Sequence, residues 1–101
     1  FDITGDDLVA RELALVRVKA TAATRAEIVQ TVNIFRGNII DVGSATMIVE
    51  ITGDGDKVES LLNLLRIYGI KEVARTGQVG MTRGGISASL KEEEGGLRQV
   101  R

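Results

Sequence analysis

Between Arg11 and Met81 the apolar positions change period in a fixed order, every second residue and then every third or fourth, twice over. Arg11 to Ala20 alternates. Ala14, Val16 and Val18 share one face, Arg17 and Lys19 take the other, and Leu13 and Leu15 break the pattern by sitting on the polar side. Thr21 to Thr24 connects to a helix predicted to run to Arg36. There Thr24 and Glu27 have capping-box spacing, Ile28, Val32 and Phe35 form the apolar stripe with Val29 at its edge, and Gly37 falls where a left-handed residue is wanted. Asn38 to Val42 and Thr46 to Thr52 read as two strands, close enough across Gly43-Ser44 to pair as a hairpin.

Ile51 to Glu59 is the sharpest boundary in the chain. The Gly/Asp cluster Gly53-Asp54-Gly55-Asp56 stops the strand, and Asp56 followed by Glu59 gives a second capping-box-like start. The helix it opens is predicted over about Lys57 to Tyr68, ending at Gly69. Val58, Leu61, Leu62 and Leu65 form its buried stripe and Ile67 points roughly opposite. Ile70 to Met81 reads as a fourth strand loosened by Gly77 and Gly80. Residues 83–101 hold Gly84-Gly85, Gly95-Gly96 and the run Lys91 to Glu94, a composition that predicts a disordered tail with at most a short helical turn from Ser89 to Glu92.

This order, βαββαβ, predicts an α+β fold of the ferredoxin-like kind: a sandwich with a four-stranded antiparallel sheet and both helices on one face. The other face is then open, and it carries Leu13, Leu15 and Ile48. Apolar side chains on an open sheet point to a subunit or domain interface, with scattered surface hydrophobes as the plainer alternative. Leu13, Leu15, Ile48 and the outward Ile67 are the candidate interface residues.

Composition narrows the chemistry. The chain has 101 residues, enough for one domain, and a net charge of −1, which argues against nucleic acid as a partner. The only aromatics are Phe1, Phe35 and Tyr68, none in a predicted strand, so bases have no stacking platform of the RNA-binding type. Cysteine and histidine are absent, which removes thiol nucleophiles, disulfides and the commonest general base and metal ligand. No apolar run approaches the ~20 residues of a membrane span and no signal-peptide pattern is visible, so no membrane partner is expected. With Phe1 in first position, the chain is expected to be a fragment or a processed product.

Asp54, Asp56 and Glu59 lack the alternating oxygen spacing of a calcium loop and read as acids complementing a helix start. Gly77-Gln78-Val79-Gly80 opens no helix and so makes a poor phosphate cradle. Arg75-Thr76-Gly77 is more informative. An arginine at a strand end beside a glycine either clamps a carboxylate or phosphate or simply faces solvent on an edge strand. These three are the candidate regulatory contact. No catalytic, cofactor or metal-binding residue is indicated.

Arg11-Glu12-Leu13-Ala14-Leu15, Ile34-Phe35-Arg36-Gly37, Ile40-Asp41-Val42, Glu50-Ile51-Thr52-Gly53-Asp54, Tyr68-Gly69-Ile70 and Lys71-Glu72-Val73-Ala74-Arg75-Thr76-Gly77 come in an order that resembles one family. It is the C-terminal domain of the regulatory (small) subunit of acetolactate synthase, also called acetohydroxyacid synthase. The resemblance spans about Arg11 to Arg83. It implies residues 1–10 as a linker from a missing N-terminal ACT domain, 11–82 as the βαββαβ regulatory domain and 83–101 as the tail. It also implies no cofactor and no intrinsic activity. The implied partners are the thiamine-diphosphate-dependent catalytic (large) subunit and a second copy in a dimer, in feedback regulation by valine of branched-chain amino acid synthesis. The implied location is the cytoplasm, or a plastid in a plant or alga. Ile67 stands where relatives often have Pro, which should let the second helix run further. A stand-alone small-molecule sensor or oligomerisation module of the same fold is the rival reading.

Overall fold

The structure, a computed structural model, describes residues 8–84. The tail from residue 85 onward, including the turn expected at Ser89 to Glu92, lies outside the described residues. The elements are β1 (Leu8–Lys19), α1 (Arg25–Ile34), β2 (Asn38–Val42), β3 (Thr46–Gly53), α2 (Gly55–Leu65), β4 (Ile70–Arg75) and β5 (Val79–Thr82). Four strands lie in the order β2-β3-β1-β4, every pair antiparallel, and β5 pairs with the first residues of β1. This is the ferredoxin-like arrangement that the periods predicted.

Strand alternation decides which face is buried. Ala14, Val16 and Val18 of β1 sit opposite Ile51, Val49 and Met47 of β3, and all six are fully or almost fully buried. Ile28 and Val32 of α1 and Val58, Leu61, Leu62 and Leu65 of α2 join the same cluster, so both helices cover the same side of the sheet. Each large side chain so buried contributes about 1.5–3 kcal/mol. Arg25 fastens the start of α1 to the β2–β3 turn, its Nη2 donating to the carbonyls of Gly43 at 2.6 Å and Ser44 at 2.9 Å.

Local chemistry departs from expectation at several ends. β1 begins at Leu8, so Leu8 to Ala10, expected in the linker 1–10, are strand. The reason is β5, which supplies their partner, Leu8 opposite Thr82 and Arg11 opposite Val79. The expected fourth strand, Ile70 to Met81, is two strands interrupted at Thr76 to Gln78, where Gly77 takes a positive φ of 80°.

The Thr24–Glu27 capping box does not form. The Thr24 hydroxyl instead accepts from the Thr21 amide at 2.9 Å, and Glu27 turns to the Tyr68 hydroxyl. The cap of α2 is Asp54, not Asp56: its carboxylate accepts from the Lys57 amide at 2.8 Å, two residues earlier in the chain than the spacing suggested. Nor does α2 reach Tyr68. It ends at Leu65, because the next amides tighten onto carbonyls three residues back, Tyr68 to Leu65 and Gly69 to Arg66, and Gly69 turns the chain at φ 102°.

The end of α1 carries a strained residue. Its left-handed position is Arg36, at φ 58°, and not Gly37. The Arg36 amide bonds the Asn33 carbonyl and the Gly37 amide bonds the Val32 carbonyl, the paired bonds of a Schellman ending. Gly37 serves close approach instead, since a Cβ there would meet the Glu50 carbonyl oxygen at 2.9 Å and Val32 Cγ1 at 3.0 Å. Arg36→Gly is therefore expected to stabilise the domain slightly. Relief of about 1–2 kcal/mol of left-handed strain is offset by about 0.4–1 kcal/mol of added unfolded-state freedom. Gly37→Ala should destabilise. Denaturation midpoints that moved together for the two variants would contradict these roles.

Candidate functional site

The open face is built by the residues that alternate away from the core. On β1 these are Leu13, Leu15, Arg17 and Lys19; β3 contributes Ile48, Glu50 and Thr52. Leu15 lies between Glu50 of β3 and Ala74 of β4, and 40% of it remains exposed. Leu13 and Ile48 are half-buried on the same side. Polar pairs frame them: Arg17 Nε donates to Glu72 at 3.0 Å, and Asn38 donates to Glu50 at 3.2 Å. Three of the candidate interface residues thus share one surface. The fourth, Ile67, does not join them. It is 79% exposed in the turn after α2.

The same side of β1 continues past the four-stranded sheet. There Val9 sits opposite Met81 and Arg11 opposite Val79, and both Met81 and Val79 are largely exposed. The sequence reading missed these two because Gly77 and Gly80 made the segment look like a loosened strand. Their two-residue spacing was the available signal.

Arg75 clamps carboxylates, but those of its own chain. Its Nε donates to Glu12 Oε1 at 2.7 Å and its Nη1 to Glu59 Oε2 at 2.7 Å, with Arg66 a further 3.8 Å from Glu59. Glu12 is 6% exposed, the one buried charged residue among those described. Of the two readings offered by the sequence, a clamp for a carboxylate or phosphate and a solvent-facing residue, the geometry shows the carboxylate clamp, with both carboxylates supplied by the chain itself. The signal was in the alternation: Glu12 falls on the face of Ala14 and Val16, and a carboxylate there needs a cation. The hydrogen bond from Arg75 holds the Glu59 carboxyl below its ordinary range, and the Glu59 and Glu12 hydrogen bonds raise the Arg75 guanidinium above its own. Burial and the bond to Glu27 push the Tyr68 phenol up.

Thr76 and Gly77 serve the backbone. The Thr76 amide donates to the Leu13 carbonyl, its hydroxyl accepts from the Leu13 amide at 3.1 Å and donates to the Gly77 carbonyl at 2.7 Å. Asp54, Asp56 and Glu59 do not converge, and no group of three or more metal-ligating side chains occurs among the described residues. No helix among them is long and apolar enough to cross a membrane.

Comparison with known proteins adds a family. Residues 11–84 match the family model described as the small subunit of acetolactate synthase. The chain is 55% identical over 76 residues to a probable acetolactate synthase small subunit of Archaeoglobus fulgidus, covering 75% of this chain and 48% of that one. It is 45% identical over 83 residues to the acetolactate synthase small subunit of Bacillus subtilis, covering 82% and 48%. A crystal structure of the acetolactate synthase small subunit of Thermotoga maritima superposes with a TM-score of 0.77 at 45% identity, over 84% of this chain and 52% of that one. The chain spans about half the length of the curated relatives it matches.

Proposed function

We propose that this chain, which belongs to the acetolactate synthase small-subunit family as its C-terminal domain, is a non-catalytic regulatory module acting on a separate catalytic subunit. In this reading it supports activation of the thiamine-diphosphate-dependent large subunit and its feedback response to valine, within branched-chain amino acid synthesis. The inhibitor is held by an ACT domain elsewhere in the full subunit, so the chain by itself binds no valine. The cytoplasm, or a plastid, is the compartment that fits this role.

The observation that carries the reading is the uncovered side of the sheet. Leu13, Leu15 and Ile48 stand together on a face that neither helix covers, within a chain that lacks histidine and cysteine altogether. A regulatory module needs surfaces for partners and no nucleophile, and this chain is furnished accordingly. A second copy is the first partner proposed for that face. Leu13→Lys with Leu15→Glu is expected to leave a folded monomer where the unmodified chain sediments as a dimer. A monomeric unmodified chain at high concentration would remove the proposed dimer.

The regulatory role is tested in the full small subunit. Leu13→Lys there is expected to weaken activation of the catalytic subunit, blunt its valine response, or both, while the fold persists. Full activation with a normal response would show that this face carries no signal. The rival, a stand-alone sensor, is separated by titration calorimetry of the chain with valine, leucine and isoleucine. The sensor gives saturable heat and the module gives none.

A further inference from the structure

Strand β1 does two jobs along its length. From Glu12 to Lys19 it is an inner strand, and its pairing with β3 stops at Glu12 opposite Gly53. From Leu8 to Arg11 its only partner among the described residues is β5. These eight residues, Leu8 to Arg11 and Val79 to Thr82, form a two-stranded ribbon beyond the body of the sheet. None of them belongs to the buried core. An isolated two-stranded ribbon is marginal in water, so its order depends on what holds its root.

The root is held by the Thr76–Leu13 bonds and, through side-chain charge, by the Arg75 cluster. Arg75, the last residue of β4, ties β4 to Glu12 on β1 and to Glu59 on α2. Just after it the chain turns at Gly77, and the Gln78 amide lies over the first residue of α2, so close that a Cβ on Gly55 would meet its Nε2 at 2.9 Å. The cluster therefore joins β1, β4, α2 and the entry to β5.

We propose that the ribbon is a strap that opens and closes independently of the four-stranded body, with Arg75 as the latch that holds it shut. The Glu59 arm of the latch lies at the surface, so it opens without disturbing the core. Opening frees the backbone of both ribbon strands. The sheet body keeps its own pairing, because β3 and β4 engage β1 only from Glu12 onward.

Backbone hydrogen exchange on the whole chain tests this. Ribbon amides, residues 8–11 and 79–82, are expected to exchange through openings that are insensitive to dilute denaturant. Amides of residues 14–18 and 47–51 should instead follow global unfolding. Glu59→Gln removes one arm of the latch and leaves the Glu12–Arg75 pair in place. It is expected to speed ribbon exchange about twofold to fivefold, the size of an exposed ion pair, relative to the body. Salt at about 1 M, which weakens solvent-exposed ion pairs, should act in the same direction. Glu12→Gln combined with Arg75→Gln removes the latch and leaves no buried charge unpaired, since Glu59 is exposed and keeps Arg66 nearby; ribbon exchange should rise by more than the Glu59 variant allows. Ribbon amides that share the denaturant dependence of the body, or that ignore both Glu59→Gln and salt, would overturn the proposal. Should the double variant not fold, those two measurements decide it.

Discussion

Arg75→Ala is expected to destabilise the domain clearly, because it leaves the Glu12 carboxylate buried without its cation. Losing one partner of a buried ion pair costs about 3–5 kcal/mol, because the other charge stays buried without compensation. Here the carboxylate left behind is Glu12, at 6% exposure, while Arg75 itself is about a third exposed, so water already shares some of the cation and the loss falls below that of a fully buried pair. Replacing both partners by apolar residues, Arg75→Met with Glu12→Leu, should recover most of the loss, since the cost lies in the orphaned charge rather than in the missing contact. Urea denaturation of the two variants beside the unmodified chain gives the answer. A double variant as unstable as Arg75→Ala would mean that packing, not charge, is what Arg75 supplies.

Acid should expose the second arm of the same cluster. The folded-state pKa of Glu59 is lowered by the Arg75 bond. Its contribution is therefore complete above the unfolded value and is lost as pH falls through the folded one. The gap between Arg75→Ala and the unmodified chain should narrow as pH falls through that window.

Leu62→Ala is expected to cost about 2–5 kcal/mol, while Gln30→Ala should cost almost nothing. Leu62 is 3% exposed within the buried cluster that joins α2 to both inner strands, so truncating it leaves a cavity between layers. Gln30 is an exposed residue of α1. Equal losses for the two variants on chemical denaturation would contradict the assigned helix faces.

The fold was legible because it rests on period. Val58, Leu61, Leu62 and Leu65 have nowhere to go but one helix face, and the alternation of Ala14, Val16 and Val18 fixes one sheet face. Both survive any error in where an element starts. The ends were less legible because caps depend on atoms and not on spacing. Asp54 and Asp56 are equally good cap residues on paper. The structure chooses Asp54 because β3 runs to Gly53 and leaves Asp54 extended, at ψ 171°, with the Lys57 amide within reach.

Arg36 was hidden for a related reason: glycine is the default left-handed residue, and Gly37 stood next to it. Of the candidate site residues, Leu13, Leu15 and Ile48 were found by parity alone. Arg75 was found, but its partners were not, since Glu12 lies 63 positions away and only strand register brings the two together.

That register also sets an order of events at the ribosome. The inner strand β1 is made first, yet its last partners, β4 and β5, are made last, Leu8 pairing with Thr82. At about 5–20 residues per second, the chain between them takes on the order of several seconds to appear. Even after β3 has paired, Val16 and Val18 keep one strand edge unfilled, and an intermediate built on β1, α1, β2, β3 and α2 must wait with Glu12 unpaired. Long-range closure of this kind slows folding and leaves an open sheet edge in the nascent chain. A ribosome stalled before residue 75 should therefore carry a protease-sensitive domain, and one stalled far enough beyond Thr82 to release β5 should carry a resistant one.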